Sequence, residues 1–266
     1  AGRPAGVDAP APASAQPGAG EALPPAASVP GNLPQIVPPL FGRDAALPAL
    51  QALIDRQALV TLVGAAGMGK TALARAVAHV LRDEFPDGVW WVDLAPLADP
   101  AQVPLAVAAA LRLTLEGSGT AQEQLLGALG DWSALLVLDN CEHVVDAAAA
   151  LAAAILERAG GVRLLVTSQE LLHIPGEHIF KLEPLAVPAV DGSAQGTEFG
   201  ALQLFVERAR AVEPRFTLDA GNTEAVADIC RQYHDYLVLM VMNAIKANKG
   251  EYMNLGPITK FAAKKA

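Results

Sequence analysis

Leu59-Val60-Thr61-Leu62-Val63-Gly64-Ala65-Ala66-Gly67-Met68-Gly69-Lys70-Thr71 is the stretch whose reading decides the fold. Its first five residues are aliphatic or β-branched and predict a short buried strand. Gly64 breaks that pattern. Lys70 and Thr71 then open an alanine-rich run that predicts a helix to about Arg82. Gly64, Gly69, Lys70 and Thr71 satisfy the spacing G-x-x-x-x-G-K-[ST]. Four fixed positions at ordinary residue frequencies match by chance in roughly one chain in a hundred of this length. A strand before the loop and a helix after it make chance rarer still.

A phosphate chain needs many donors at close range, and this stretch supplies them. Gly64, Gly67 and Gly69 let the backbone curl so that successive N–H groups point inward. The loop as a whole, Gly64, Ala65, Ala66, Gly67, Met68 and Gly69, is therefore the expected cradle for ATP or ADP. The helix beginning near Lys70 adds the partial positive charge of its N-terminus. Lys70 brings a full charge toward the β and γ phosphates, and the Thr71 hydroxyl is placed to ligate Mg²⁺.

A second run extends the site. Ala134-Leu135-Leu136-Val137-Leu138-Asp139 is apolar until its last residue. It predicts a fully buried parallel strand with a carboxylate at its C-terminal tip, the edge where open α/β sheets hold ligands. Beside a phosphate loop, Asp139 is expected to hold Mg²⁺ with Thr71; the alternative is a cap for the next helix. Many ATPases of this kind place a second acid directly after the first, but here that slot is Asn140. Glu142 is the nearest acid, and it either acts as general base or only favours the positive end of the following helix. His143 reads as helix surface.

Further elements follow from pattern. Leu47, Leu50, Leu53 and Ile54 share one helical face, with Asp44 as the expected N-cap. Val89 to Leu94 reads as a strand on which Trp90 and Trp91 point to opposite faces, with at most one inside the core. Asp93 is either a site residue or an exposed strand end. Asp99-Pro100 predicts a helix start, and Thr120 with Glu123 a capping box. Val144 to Ala159 predicts a helix and Val162 to Val166 a strand. That strand ends in Thr167-Ser168-Gln169, which either sense the γ-phosphate or cap the next turn. His178 to Leu182 reads as a strand, residues 187 to 197 as a loop, and Phe199 to Val212 and Asn222 to Gln232 as amphipathic helices.

Composition bounds the reading. The chain has 266 residues, 52% apolar and 5% aromatic, so Leu, Val, Ile and Ala fill its core. A net charge of −9 argues against a basic face that grips nucleic acid. Cys141 and Cys230 have neither ladder nor ligand spacing; they suit a reducing cytoplasm and read as buried apolar residues. No run reaches the ~20 apolar residues of a membrane span, so no membrane partner is expected. Residues 1 to 38, rich in Ala, Pro and Gly, read as a disordered linker. That linker and the start at Ala1 suggest a piece of a longer protein. After residue 232 the text changes. All three tyrosines and five of the seven lysines fall there, which marks 233–266 as an atypical tail of uncertain origin. Tyr236 to Ile245 reads as a helix within that tail.

These motifs together resemble the nucleotide-binding domain of the STAND ATPases, the NB-ARC group, and more closely the ATPase segment of bacterial winged-helix transcriptional regulators. The resemblance is carried by Asn32-Leu33-Pro34 with Phe41-Gly42-Arg43-Asp44, by Leu59 to Thr71, and by Val92 to Leu97. Leu136 to His143, Leu165 to Glu170, and Gly176-Glu177 through Pro184-Leu185 continue it, over about residues 32 to 231. It implies an α/β P-loop NTPase fold in three layers, with a five-stranded parallel sheet over residues 39–190. A partial helical subdomain over 191–232 follows. It implies ATP/ADP exchange as a switch with slow hydrolysis, homo-oligomerisation on activation, and DNA contact only through a missing N-terminal domain. Arg43, otherwise a solvated charge, looks like part of the family's opening motif beside the adenine. Two departures stand out. Relatives often carry Arg where this chain has Gln169, and the Gly-Leu-Pro motif expected after Arg231 is Tyr233-His234-Asp235-Tyr236 instead. The rival readings are a small-molecule phosphotransferase and a non-hydrolysing interaction module whose nucleotide is structural.

Overall fold

Aliphatic segments with no room for polar side chains become strands covered on both faces. In the computed structural model, which describes residues 30–116, 118–189 and 199–232, four such segments and a more polar, partly exposed edge strand form one parallel sheet. They are β1 (Leu59–Val63), β2 (Val89–Asp93), β3 (Leu135–Asp139), β4 (Arg163–Ser168) and β5 (Glu177–Lys181). Their spatial order is β2-β3-β4-β1-β5, and every neighbouring pair is parallel. This register brings Val63, Asp93, Asp139 and Ser168 to the same C-terminal edge.

Two helical layers cover the sheet. On one face lie α1 (Ala46–Ile54) and α2 (Lys70–Val80), packed on Val60, Leu62, Leu135, Val137 and Leu165. On the other lie α3 (Val103–Ala110), α4 (Ala121–Leu129) and α5 (Val145–Arg158), packed on Leu59, Leu136, Leu138, Leu164 and Val166. The α/β three-layer fold expected from the motifs is thus present. α6 (Gly200–Val212) and α7 (Thr223–Gln232) form a smaller separate core with Phe41, Leu185, Val187 and Phe199.

Local chemistry explains the ends. The Thr120 hydroxyl accepts from the Glu123 N–H at 3.2 Å while the Glu123 carboxylate accepts from the Thr120 N–H at 2.8 Å, so both arms of the capping box form. Asp99 accepts from the Ala101 N–H at 2.9 Å, but it caps a 3₁₀ turn, Pro100–Gln102, ahead of α3. The expected cap Asp44 does not serve: Ala45 precedes α1 in a helical conformation with no side-chain bond. Arg163 donates to the carbonyls of Ile54 and Gln57 at 2.6 and 3.2 Å, fastening the end of α1 to β4.

Two expectations are corrected. Trp90 and Trp91 do point to opposite faces, yet both are buried, because helices cover both sides of the sheet. The linker expectation also ran too far. Gly31 bridges to Val89 in parallel register, and a Cβ at Gly31 would lie 2.5 Å from the Val89 carbonyl oxygen. The Asn32 amide donates to the Trp91 and Ala110 carbonyls at 2.9 and 3.2 Å and accepts from the Trp91 N–H. Leu33 and Leu40 pack against the core beneath α1 and α2. One amide anchors this segment, which counting apolar residues does not reveal. Residues 1–29, most of the expected 187–197 loop (190–197) and the tail 233–266 lie outside the described residues.

Asn32→Ala removes one acceptor and leaves two partly buried carbonyls unpaired. It is expected to lower unfolding stability by about 1–3 kcal/mol, read as a lower urea midpoint with an unchanged m-value.

Candidate functional site

The site is built at the C-terminal edge of β1 and β3. The turn after β1 uses Gly67 and Gly69 at φ 79° and 89°, in the left-handed region that a side chain disfavours. Gly69 directly precedes α2, so the loop amides and the helix N-terminus converge. The Ala65 N–H points to the Met68 sulfur at 3.1 Å, closing the loop on itself.

Lys70 is 8% exposed, and its ammonium donates to the carbonyls of Gly64 and Ala65 at 2.9 and 3.1 Å. Two of its three N–H donors are thereby placed, leaving one for an anion. Burial lowers its pKa, while the charges of Glu142 and then Asp139 oppose that shift. No carboxylate forms an ion pair with it among the described residues. A buried ammonium held by two loop carbonyls, with no carboxylate ion-paired to it among the described residues, fits an anionic ligand.

Asp139 is 2% exposed and receives two hydroxyl donors on one oxygen. Thr71 Oγ1 donates to Oδ1 at 2.9 Å, and Thr167 Oγ1 donates to the same atom. The other oxygen, Oδ2, accepts from the Asn140 side-chain amide at 3.2 Å. Burial raises the carboxyl pKa above the usual carboxylate range, and the Thr167 and Thr71 hydrogen bonds pull it back. The sequence places Thr71 and Asp139 68 positions apart, and the fold brings them into direct contact. No cluster of three or more His, Cys, Asp or Glu residues suited to a metal occurs among the described residues. A divalent ion could therefore be held here by Thr71 and Asp139 together with ligand oxygens, the arrangement Mg²⁺ favours.

The remaining expected site residues divide. Gln169 and Glu142 meet: the Gln169 amide donates to Glu142 Oε1 at 3.1 Å, while Glu142 Oε2 is buried with no hydrogen-bond partner. Arg43 is 8% exposed and donates to the carbonyls of Glu183 and Met68 at 2.6 and 2.9 Å. It touches the phosphate loop through backbone and is not the solvated charge its residue type alone would suggest. His143 is exposed. Ser168 accepts from the Glu170 N–H, the capping alternative. Cys141 and Cys230 are buried, and burial pushes the Cys230 thiol up to about 12.

Two further participants emerge. Thr167 holds Asp139 instead of facing the loop, and Asn140 sits at φ 62°, ψ 53°. Asn adopts that left-handed conformation more readily than most side chains. Its amide bridges Asp139 to Asp93 Oδ1 on the neighbouring strand at 3.3 Å. The position of Thr167 at the end of an apolar strand is legible in the sequence, but its partner depends on the β3–β4 register.

A five-stranded parallel sheet, a glycine loop opening a helix with Lys70 and Thr71, and a carboxylate on the adjoining strand tip define a P-loop ATPase domain. The comparison with protein families agrees: residues 39–219 match the AAA ATPase domain, and the chain belongs to that family. It is 35% identical over 191 residues to an uncharacterized protein of Mycobacterium tuberculosis, covering 72% of this chain and 46% of that protein. A second protein of the same species, provisionally named an HTH-type transcriptional regulator, is 34% identical over 183 residues, 69% of this chain and 19% of its own length. The regulatory protein AfsR of Streptomyces griseus is 31% identical over 174 residues, 59% of this chain and 17% of its own. The chain thus spans less than half the length of these relatives. ATPase segments of bacterial regulators are thus among the proteins that this chain is similar to, as the motifs implied. Among solved structures, ORC2 of Aeropyrum pernix (TM-score 0.54, 13% identity, 86% of this chain and 69% of that one) shares the fold. So does Cdc6p of Pyrobaculum aerophilum (TM-score 0.53, 15% identity, 82% and 64%). No described helix is long and apolar enough to cross a membrane.

Thr167→Val keeps the shape but removes the hydroxyl that steadies Asp139. Mg²⁺ affinity, titrated in the presence of ATP, is expected to fall about tenfold to a hundredfold, with Mg²⁺-free nucleotide affinity within about twofold of the parent.

Proposed function

We propose that this segment is an ATP/ADP-binding switch module of a cytoplasmic signalling ATPase, part of a transcriptional regulator, with slow or absent hydrolysis. The observation that carries the reading is the Thr71–Asp139 contact at 2.9 Å beside a buried Lys70 that lacks a carboxylate partner. Amides of Gly64 to Gly69 and Lys70 bind the phosphates, and Thr71 and Asp139 hold Mg²⁺. When bound, Mg²⁺ supplies positive charge that neutralises the β and γ oxygens.

Slow turnover follows from the residues around the expected water position. The Asn140 amide lies in the slot where a second acid would accept a proton, and it is engaged with Asp139 and Asp93. Glu142 is the remaining candidate base, with Oε1 tied to Gln169 and Oε2 buried. A non-hydrolysing module with structural nucleotide is the second reading, favoured by the same Asn140. The phosphotransferase alternative is disfavoured by the engagement of Arg43 with carbonyls and of Arg75 with the Trp91 ring at 5.3 Å. DNA contact is assigned to a domain outside this segment, and self-association on activation to the longer protein.

Equilibrium titration of the chain with fluorescent ADP and ATP tests the reading. Lys70→Ala removes charge-assisted bonds of about 1.5–3 kcal/mol, so affinity is expected to fall about tenfold to a hundredfold. Unchanged affinity rejects nucleotide binding at this loop. Chelating Mg²⁺ with EDTA is expected to weaken ATP more than ADP. A single-turnover assay separates the slow ATPase, which forms ADP and phosphate over minutes to hours, from the structural-nucleotide module, which forms none.

A further inference from the structure

Three consecutive residues, Phe41-Gly42-Arg43, are fastened to three different parts of the molecule. The Phe41 side chain packs in the small core made by α6 and α7. Gly42 lies backbone to backbone against Gly200, the first residue of α6. A Cβ on Gly42 would come within 2.9 Å of the Gly200 Cα, and a Cβ on Gly200 within 2.8 Å of the Gly42 Cα. Arg43 reaches the phosphate loop at the Met68 carbonyl and the segment after β5 at the Glu183 carbonyl. Its own carbonyl accepts from the Leu47 N–H and starts the first turn of α1.

Each fastening is stiff. The Gly42–Gly200 contact has no side chain that could change rotamer to absorb a shift, and Gly42 sits at φ 60°. Movement of the α6 start must therefore displace the backbone of residue 42, one peptide unit from Arg43. The Arg43 guanidinium is buried, and burial lowers its pKa. Its guanidinium donates to two carbonyls, so loss of the Met68 carbonyl would strand a buried charged donor, a strongly unfavourable outcome. The loop and the helix pair accordingly have one shared set of positions in which all three attachments are met.

We propose that Phe41-Gly42-Arg43 is a mechanical joint through which the placement of the α6–α7 pair sets the conformation of the phosphate loop, and the reverse. Arg43 is then a positioning residue for the loop, acting through the Met68 carbonyl. The use of this joint by nucleotide rests on the binding function proposed above; the joint itself does not. Coupling of this kind is reciprocal by thermodynamic necessity.

Amide hydrogen exchange on the full chain without nucleotide tests the joint directly. Gly200→Ala, which forces α6 off Gly42, is expected to speed exchange of the Gly64–Lys70 amides by about fivefold or more, with the β3 amides unchanged. Arg43→Met is expected to speed exchange at the loop. It should also do so at Ala201 and Gln203, whose N–H groups bond to the Ala186 and Phe199 carbonyls and which Arg43 does not touch. In ADP titrations Gly200→Ala should weaken binding about fivefold in the parent and add nothing in the Arg43→Met background. Loop exchange within twofold of the parent in folded Gly200→Ala overturns the proposal. So does Arg43→Met loosening the loop while Ala201 and Gln203 stay protected, which decides the matter even where Gly200→Ala does not fold. Additive losses in the ADP titrations overturn it as well. Absence of nucleotide binding in the parent would instead reject the proposed function and leave the exchange result to judge the joint.

Discussion

A buried carboxylate at the end of a parallel strand is unfavourable unless neighbours satisfy it. Asp139 is such a group, and the site depends on how it is met. Thr71 donates from the first turn of α2, Thr167 from β4, and Asn140 from the turn that follows β3. These donors come from three different pieces of chain. Their convergence requires the β1–β4 and β3–β4 registers together. A one-residue slip of β4 against β3 would turn Thr167 to the opposite face and leave Asp139 short of a donor. The apolar strands hold the edge in place, and the edge tolerates one ionisable group because its donors arrive with it.

The same edge bears on the slow turnover proposed above. Asn140 occupies a left-handed backbone position that favours Asn over a longer acid, and its amide is committed to Asp139 and Asp93. That backbone also redirects the chain into the 3₁₀ turn Cys141–His143, which carries Glu142 back toward Lys70 and Gln169. Geometry that steadies the carboxylate thereby removes the second acid from its usual slot.

The segment before α1 shows how polar anchoring complements apolar packing. Residues 30–43 hold to the body through Asn32, the Gly31 bridge, Leu33 and Leu40, and finally Arg43. His79 meets the Pro34 carbonyl and Arg75 the Ile36 carbonyl on the way. The strand edge at β2 is covered in the process, which protects backbone groups that would otherwise stand open.

Sequence by itself determined the phosphate loop, the five parallel strands, the three-layer class and the expectation that Thr71 and Asp139 share one site. Each of these rests on local pattern: apolar runs, glycine positions and helix-start chemistry act within a few residues. The two-sided burial of Trp90 and Trp91, the grip of Asn32, the role of Thr167 and the carbonyl contacts of Arg43 were decided only by tertiary structure. Those depend on partners 25 to 140 positions away. A side chain's type sets which bonds it is able to make, but strand order and register choose the atoms that stand within reach.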